Sequence, residues 1–366
     1  MARKPAQQKI DYTTHPLAHM IPEQKLFGGD EYVGRVIAGK KDVDILKSAL
    51  EYRMNVLIEG PTGSAKTSFV YAFAADTGMA VVNVPCSQEI DVRSFIGGWQ
   101  PRYGGGFQFV PGRLLLGAVH GNTIGYFDEV NALHGRVATL VHGALDKRRR
   151  FTVEDAAGSG WCANCGHQNS ARLESIATWA NELNAELKHT SQISADGRQV
   201  VNQRLVDHYA ERYLKFPKRC ENCDVDLQST EVVCASTFMV VAAYNEGYND
   251  MRQLNEAFKN RFQFQLHFDY STQIEDTLLD SNALLELAGK LRKSFEVGDI
   301  TTPISTNMLI EFEQFAGDPN LGLGFAIENF IARFTKGEQP LVQEVFKHAA
   351  GTIREELIAA MSNGGK

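Results

Sequence analysis

No stretch of this sequence approaches the ~20 consecutive apolar residues that a membrane span requires, so no transmembrane helix is expected. The opening MARKPAQQKIDYTTHPLAH has two early basic residues but no apolar run behind them, so no signal peptide is expected either. Cysteine is scarce. Six in 366 residues, at 86, 162, 165, 220, 223 and 234, are too few and too unevenly spaced for a disulfide scaffold. Basic excess is missing as well: 37 Lys and Arg face 44 Asp and Glu, a formal net charge of −7. That balance argues against a chain that binds a polyanion over its whole surface, while leaving room for a local basic patch. Low-complexity segments and internal repeats are absent. What remains is an ordinary globular balance, 43% hydrophobic and 22% charged, long enough for two or three domains. The expectation is a soluble, cytoplasmic protein.

Residues 55 to 69, NVLIEGPTGSAKTSF, carry the strongest chemical pattern. Val56, Leu57 and Ile58 predict a buried strand, Gly60 to Gly63 a loop, and the residues from Ser64 onward a helix. Gly60, Lys66 and Thr67 fit the phosphate-loop pattern G-x-x-x-x-G-K-[ST], with Ala65 in place of the last glycine. Such a loop aims backbone N–H groups and a helix N-terminus at phosphate oxygens. Its lysine reaches the outer phosphates and its hydroxyl binds Mg²⁺. The nucleotide-binding set is therefore Gly60, Pro61, Thr62, Gly63, Ser64, Ala65, Lys66, Thr67 and Ser68. An alanine at 65 carries no steric penalty if its φ is helical, and that is the expectation.

A second apolar run, Ile124 to Phe127 in NTIGYFDEVNAL, ends in Asp128 and Glu129. Asp128 is placed to hold Mg²⁺, and Glu129 to polarise an attacking water. A third run, FMVVAAYN at 238 to 245, brings Asn245 to the same carboxyl edge. LNEAFKNRFQF then predicts a helix whose end carries Arg261. Strands alternating with helices predict an α/β fold with a parallel sheet sandwiched by helices and ligands at the strand C-termini. Residues from about 273 to 360 read as helices, with breaks at Pro303, Gly317 and Pro319.

Taken in order, GPTGSAKT, FDEVNAL, AAYNEG and LNEAFKNRF resemble the AAA+ ATPases of the MoxR branch, close to the cobalt-chelatase small subunit and nitric-oxide-reductase activator types in the dynein-related group. The resemblance covers residues about 30 to 335, apart from the cysteine segment. It implies an N-terminal extension over 1–29, a P-loop AAA+ core over 30–158 and 230–270, and a C-terminal helical lid over 271–366. It implies ATP held by Lys66 and Thr67, Mg²⁺ by Thr67 and Asp128, Glu129 as the catalytic Walker B acid and Asn245 as sensor 1. Arg261 becomes an arginine finger acting on the neighbour's ATP, in a homo-oligomeric ring that the family builds as a hexamer. A von Willebrand factor A-domain partner is also implied. The D-x-S-x-S metal motif of such a domain is not found in this chain.

One position departs from the family. ISTNMLIEF places Asn307 where an arginine usually serves as sensor 2, and Arg333 in FIARF is the candidate substitute. The likeness also implies that residues 91–121 form a helix interrupted by a β-hairpin facing the ring's pore. Gly104, Gly105 and Gly106 predict the hairpin turn, flanked by Tyr103, Phe107 and Phe109. The competing reading folds those aromatics onto the core.

The pairs Cys162/Cys165 and Cys220/Cys223 interrupt this pattern, between RRRFTVED and EVVCASTF, which predict a pairing just before the sensor strand. The segment from 159 to 229 therefore reads as an insertion. Between the pairs lie two helical patterns, Leu173 to Leu187 and Val201 to Phe216, joined by the polar turn TSQISADG. A helix going out and another returning brings the four thiols together in an inserted zinc-ribbon and helical-hairpin module. Two C-x-x-C knuckles suit tetrahedral Zn²⁺ with no open position; a redox dithiol, an iron–sulfur site and unligated core cysteines are the alternatives. Residues 166–219 hold eight Lys or Arg against six Asp or Glu, a weak footprint for nucleic acid.

The expected function is an ATP-driven ring motor that remodels or activates a protein partner. A nucleic-acid translocase using the hairpin and the zinc module is the alternative, and a slowly hydrolysing nucleotide switch is a third reading.

Overall fold

The structure is a computed structural model. It describes residues 15–28, 32–87, 92–101, 107–133, 135–173, 181, 185, 192–193, 199–200, 214–245 and 254–363. A short helix α1 (Gln24–Phe27) and the antiparallel pair β1 (Val36–Ile37) and β2 (Lys40–Lys41) precede α2 (Asp42–Glu51), whose Leu46 and Ala49 are buried. The apolar run at 56–58 is β3 (Val56–Glu59), buried at all three positions as an interior parallel strand should be. Helix α3 (Lys66–Thr77) buries Phe69, Val70, Ala72, Phe73, Ala74 and Ala75, so it is apolar nearly all round. It starts at Lys66, later than the sequence pattern predicts.

β4 (Ala80–Pro85) and the one-turn α4 (Val92–Phe95) lead into an antiparallel hairpin, β5 (Gly97–Pro101) with β6 (Phe107–Pro111). The expected turn at 104–106 and Tyr103 lie outside the described residues. Helix α5 (Arg113–His120), strand β7 (Thr123–Asp128), helix α6 (Gly135–Leu145) and strand β8 (Arg150–Thr152) follow.

In the insertion, β9 (Arg172–Leu173), β10 (Gln192–Ile193), β11 (Gln199–Val200) and β12 (Leu214–Lys215) make two antiparallel pairs, β9 with β12 and β10 with β11. This corrects the expected helical hairpin at its ends. Leu173 is in a strand where the first helix was expected to begin, Phe216 lies just past a strand where the second was expected to end, and the segment TSQISADG, expected to be a turn, itself contains β10, which pairs with β11 just beyond it. Residues 181 and 185 are helical, and most of the two helical patterns lie outside the described residues. The chain still runs out and back, because β-pairing at the base returns it as well as helix packing would. β13 (Glu231–Val233) closes the excursion by pairing with β8, with Val232 opposite Phe151, both buried.

β14 (Phe238–Tyr244) is buried along its whole length. The short helix α7 (Glu256–Lys259) is capped by Asn255, whose Oδ1 accepts from the Ala257 N–H. Strand β15 (Phe264–His267) completes a five-stranded parallel sheet of order β15-β3-β14-β7-β4. Five helices end the chain: α8 (Thr272–Leu278), α9 (Asn282–Glu296), α10 (Thr306–Gly317), α11 (Gly322–Ala332) and α12 (Gln339–Asn363). The last four share a core of Leu284, Leu287, Leu309, Phe312, Phe330 and Phe346, with the Phe312 and Phe330 rings edge to face at 5.9 Å. Serines cap two of them: Ser281 Oγ accepts from the Leu284 N–H, and Ser305 Oγ from the Met308 N–H.

Two compact units emerge. One comprises 1–21, 78–126 and 132–240 and holds the hairpin and the paired cysteines. The other comprises 22–77, 127–131 and 241–366 and holds the phosphate loop, α7 and the helical region. Among the described residues, no helix is long and apolar enough to cross a membrane.

Candidate functional site

The loop between β3 and α3 is shaped by two glycines that tolerate no side chain. A Cβ on Gly60 would fall 2.0 Å from the Phe268 carbonyl oxygen, and one on Gly63 only 2.4 Å from Ser305 Cβ. Gly63 also has φ +72, a left-handed backbone open to glycine at little cost. The expectation for Ala65 is overturned: its φ is +63, not helical. Ala65 keeps the left-handed turn that the usual glycine makes, at a cost of roughly 1–2 kcal/mol. That turn explains the late start of α3, because its first helical residue is Lys66.

Lys66 is buried, and its Nζ donates to Gly60 O at 2.8 Å, Pro61 O at 2.7 Å and Asn245 Oδ1 at 2.7 Å. Lys66 and Asn245 are thereby joined, though 179 positions apart. At the end of β7, Thr67 Oγ1 donates to Asp128 Oδ2 at 3.4 Å, so the two residues assigned to Mg²⁺ face one another. Glu129 follows at φ +53, and its N–H donates to Asp128 Oδ1 at 3.1 Å. A left-handed backbone at a non-glycine residue costs of order 1–3 kcal/mol and is concentrated at functional sites. Pro61, Thr62, Ser64 and Ser68 complete the loop and the first turn, with Ser64 Oγ donating to Pro61 O at 2.9 Å.

Arg261 lies just beyond α7 rather than at a helix end, its N–H donating to Phe258 O at 3.1 Å. Phe264, three residues on, is in register with Val56, at the opposite end of the strands from Gly60. One chain therefore does not bring Arg261 together with its own Lys66 and Asp128.

Asn307 is exposed in the first turn of α10, and the Ser305 that caps this helix packs against Gly63. Arg333 ends α11 and pairs with Glu311 on α10. Sequence reasoning missed several groups that shape the loop. Arg35 donates through Nη2 to Ser64 O at 2.6 Å and through Nη1 to Asp269 O at 2.7 Å, with its guanidinium 4.7 Å from the Phe268 ring centre. Tyr270 donates to Thr62 O at 2.7 Å and lies under Arg292, which grips the buried Glu275 with both terminal nitrogens. No motif announces them, since each acts through contacts distant in sequence.

The four cysteines converge. Sγ of Cys162 lies 3.5 Å from that of Cys223, Sγ of Cys165 lies 3.7 Å from that of Cys220, and all four fall within 4.8 Å of one another. Four thiolates ~2.3 Å from one Zn²⁺ would stand roughly 3.8 Å apart, so the donor set fits that ion. Both knuckles repeat one backbone pattern. The Cys162 N–H donates to His167 O and the Gly166 N–H to Cys162 O; the Cys220 N–H donates to Val225 O and the Asp224 N–H to Cys220 O. Gly166 and Asp224 share the left-handed position, at φ +73 and +56. Burial pushes the Cys162 thiol up to about 12 and Cys165 in the same direction. Burial also opposes ionisation of Cys220, but N–H groups of Asn222, Cys223 and the Asn169 amide hold it down to about 6. Cys223 is likewise lowered, by Asn164 and Val225 N–H groups acting against burial.

The module's Trp161 packs against Phe109 with the rings tilted and their centres 5.7 Å apart, and Phe109 meets Trp99 edge-on at 6.4 Å. Trp99 is opposite Phe109, and Pro101 opposite Phe107, so one face of the hairpin is an aromatic row. Phe109 is buried, as the core-folded reading expects of it, while Phe107 is 68% exposed.

Residues 55–164 match the AAA domain (dynein-related subfamily). An uncharacterized protein of Staphylococcus saprophyticus is 27% identical over 110 residues, and one of Staphylococcus aureus 31% identical over 112, each alignment covering 29% of this chain and 41% of the relative. The chain thus spans about two-fifths of the length of the curated relatives it matches. The Thermotoga maritima RuvB Holliday junction branch migration motor aligns over 88% of this chain and 71% of its own, at 12% identity and a TM-score of 0.31. The fold is that of a P-loop AAA protein, with a parallel five-stranded sheet, flanking helices and a helical C-terminal region.

Proposed function

We propose that this chain is an AAA+ ATPase of the MoxR type, acting as a ring that remodels or activates a protein partner. The observation that carries the reading is the meeting of Lys66, Thr67, Asp128 and Asn245 at one end of the sheet, beside Glu129. Lys66 and the N–H groups opening α3 would hold the β- and γ-phosphates of ATP. Thr67 and Asp128 would hold Mg²⁺, which shields phosphate charge when bound. Glu129, turned by its left-handed backbone, would take a proton from water aligned by Asn245. Arg261, remote from its own loop, fits a role on the next subunit's nucleotide, and head-to-tail contacts of that kind close into rings. A hexamer is the family expectation.

The cysteine module fits a structural zinc held by Cys162, Cys165, Cys220 and Cys223. Through Trp161 and Phe109 it supports the hairpin whose exposed Trp99 and Phe107 suit an apolar protein segment. A von Willebrand factor A-domain protein is the partner this branch suggests. The weak basic balance of the insertion disfavours the nucleic-acid alternative. Affinity capture with Glu129→Gln tests the partner reading: ATP-dependent recovery of a protein partner supports it, and ATP-dependent retention on DNA with steep salt dependence overturns it.

A further inference from the structure

One row of residues sits directly before the catalytic row. Glu59 is in register with Tyr244 on one side and His267 on the other, and partners in a parallel sheet share a face. The next residues along, Gly60 and Asn245, each accept a hydrogen bond from Lys66 Nζ. Tyr244 OH donates to the Glu59 carboxylate. Lys259 Nζ stands 4.0 Å from Glu59 Oε1 and 5.2 Å from the centre of the Tyr244 ring. Lys259 is the last residue of α7, two positions before Arg261.

An exposed Lys–Glu pair is worth ~1 kcal/mol or less and would ordinarily be a solvated face. Here the ammonium, which also stands 3.9 Å from Glu256 Oε1 of its own helix, lies on an aromatic face, and the Glu59 carboxylate is fixed by that ring's own hydroxyl. Lys259 retains 23% side-chain exposure and Glu59 31%, so the cluster is partly withdrawn from water. Glu59 thus ties the strand ends carrying Gly60 and Asn245 to the helix that leads into Arg261.

We propose that Lys259, held by Glu59 and Tyr244, is a positioning residue that sets Arg261 according to the nucleotide gripped at Lys66 and Asn245, coupling one subunit's site to hydrolysis in the next. The proposal rests on the ATPase reading above.

The test compares Lys259→Met, which keeps the apolar stem, with Lys259→Arg, which keeps the charge. Both are made in full-length protein, alone and combined with Arg261→Ala. Steady-state phosphate release is measured beside binding of a fluorescent ATP analogue. Lys259→Met should lower kcat by roughly five- to tenfold, the scale of inter-site coupling, with nucleotide affinity unchanged. Lys259→Arg should restore most of the rate, and Lys259→Met should cost nothing further once Arg261 is gone. An equal loss in the Arg261→Ala background, or a parallel loss of affinity, overturns the relay. Wild-type protein that binds nucleotide without turnover overturns the ATPase reading and the relay together, which separates the two failures.

Discussion

Lys66 Nζ lies 2.7 Å from Asn245 Oδ1, so the phosphate-loop lysine and the end of β14 share one hydrogen bond. The lysine is well supplied with acceptors, Gly60 O, Pro61 O and Asn245 Oδ1 among them, and each is positioned to give way to a phosphate oxygen carrying full charge. Lys66→Ala should therefore abolish nucleotide binding. Asn245→Ala should leave affinity within about threefold while slowing hydrolysis ~10²-fold, because it orients water and not the phosphates. Equilibrium titration beside phosphate release checks both.

Ala65 holds φ +63 where a glycine would be unstrained. Ala65→Gly should raise stability by about 0.5–1 kcal/mol, the relief of left-handed strain less the extra freedom glycine gives the unfolded chain. Ala65→Val, with a branched side chain in the same turn, should destabilise the protein and impair nucleotide binding. Denaturant unfolding distinguishes these outcomes from the loss of about 0.5–1 kcal/mol that Ala65→Gly would cause at a helical φ.

The phosphate loop, the acid pair and Asn245 were legible because each follows an apolar strand, and parallel topology delivers strand ends to one edge. The backbone at Ala65 was misread because residue type constrains φ only weakly; the turn before Lys66 overrode the preference of alanine. Glu129 at φ +53 was invisible for the same reason. In the insertion, helical spacing of Leu173 and Ile176 hid a strand at Leu173 that pairs with Leu214, since a two-residue strand leaves no period to read. The convergence of the cysteines survived that error because it needs only a chain that goes out and returns. Arg35, Tyr270 and Ser305 could not be found in advance. Their partners Ser64, Thr62 and Gly63 lie up to 242 positions away, as from Gly63 to Ser305.

Arg261 stands at the far end of β15 from the phosphate loop, so it should act on another subunit. Arg261→Ala should keep ATP affinity but slow hydrolysis by roughly 10³-fold, the scale for losing an arginine finger. Mixed with wild type, it should depress activity more steeply than dilution alone. A strictly linear dependence on the mixing ratio would mean independent subunits.

The thiols of Cys162, Cys165, Cys220 and Cys223 should hold about one zinc per chain, released on denaturation or strong chelation. Cys162→Ser with Cys220→Ser should lose the metal and loosen Trp161 from Phe109, while nucleotide binding persists. Partner engagement should fall with the hairpin's support. Metal analysis that finds no zinc, with all four thiols freely alkylated, would contradict this assignment; so would iron with the visible absorption of a cluster.

The central claim is that Glu129 drives hydrolysis of ATP gripped by Lys66, Thr67 and Asp128. The most direct measurement is single-turnover hydrolysis of radiolabelled ATP by wild type and Glu129→Gln, with bound nucleotide identified after quenching. Wild type should yield ADP and phosphate. Glu129→Gln should retain intact ATP with comparable affinity and turn over at least ~100-fold more slowly, the worth of a positioned base. Equal rates in the two proteins would contradict the account.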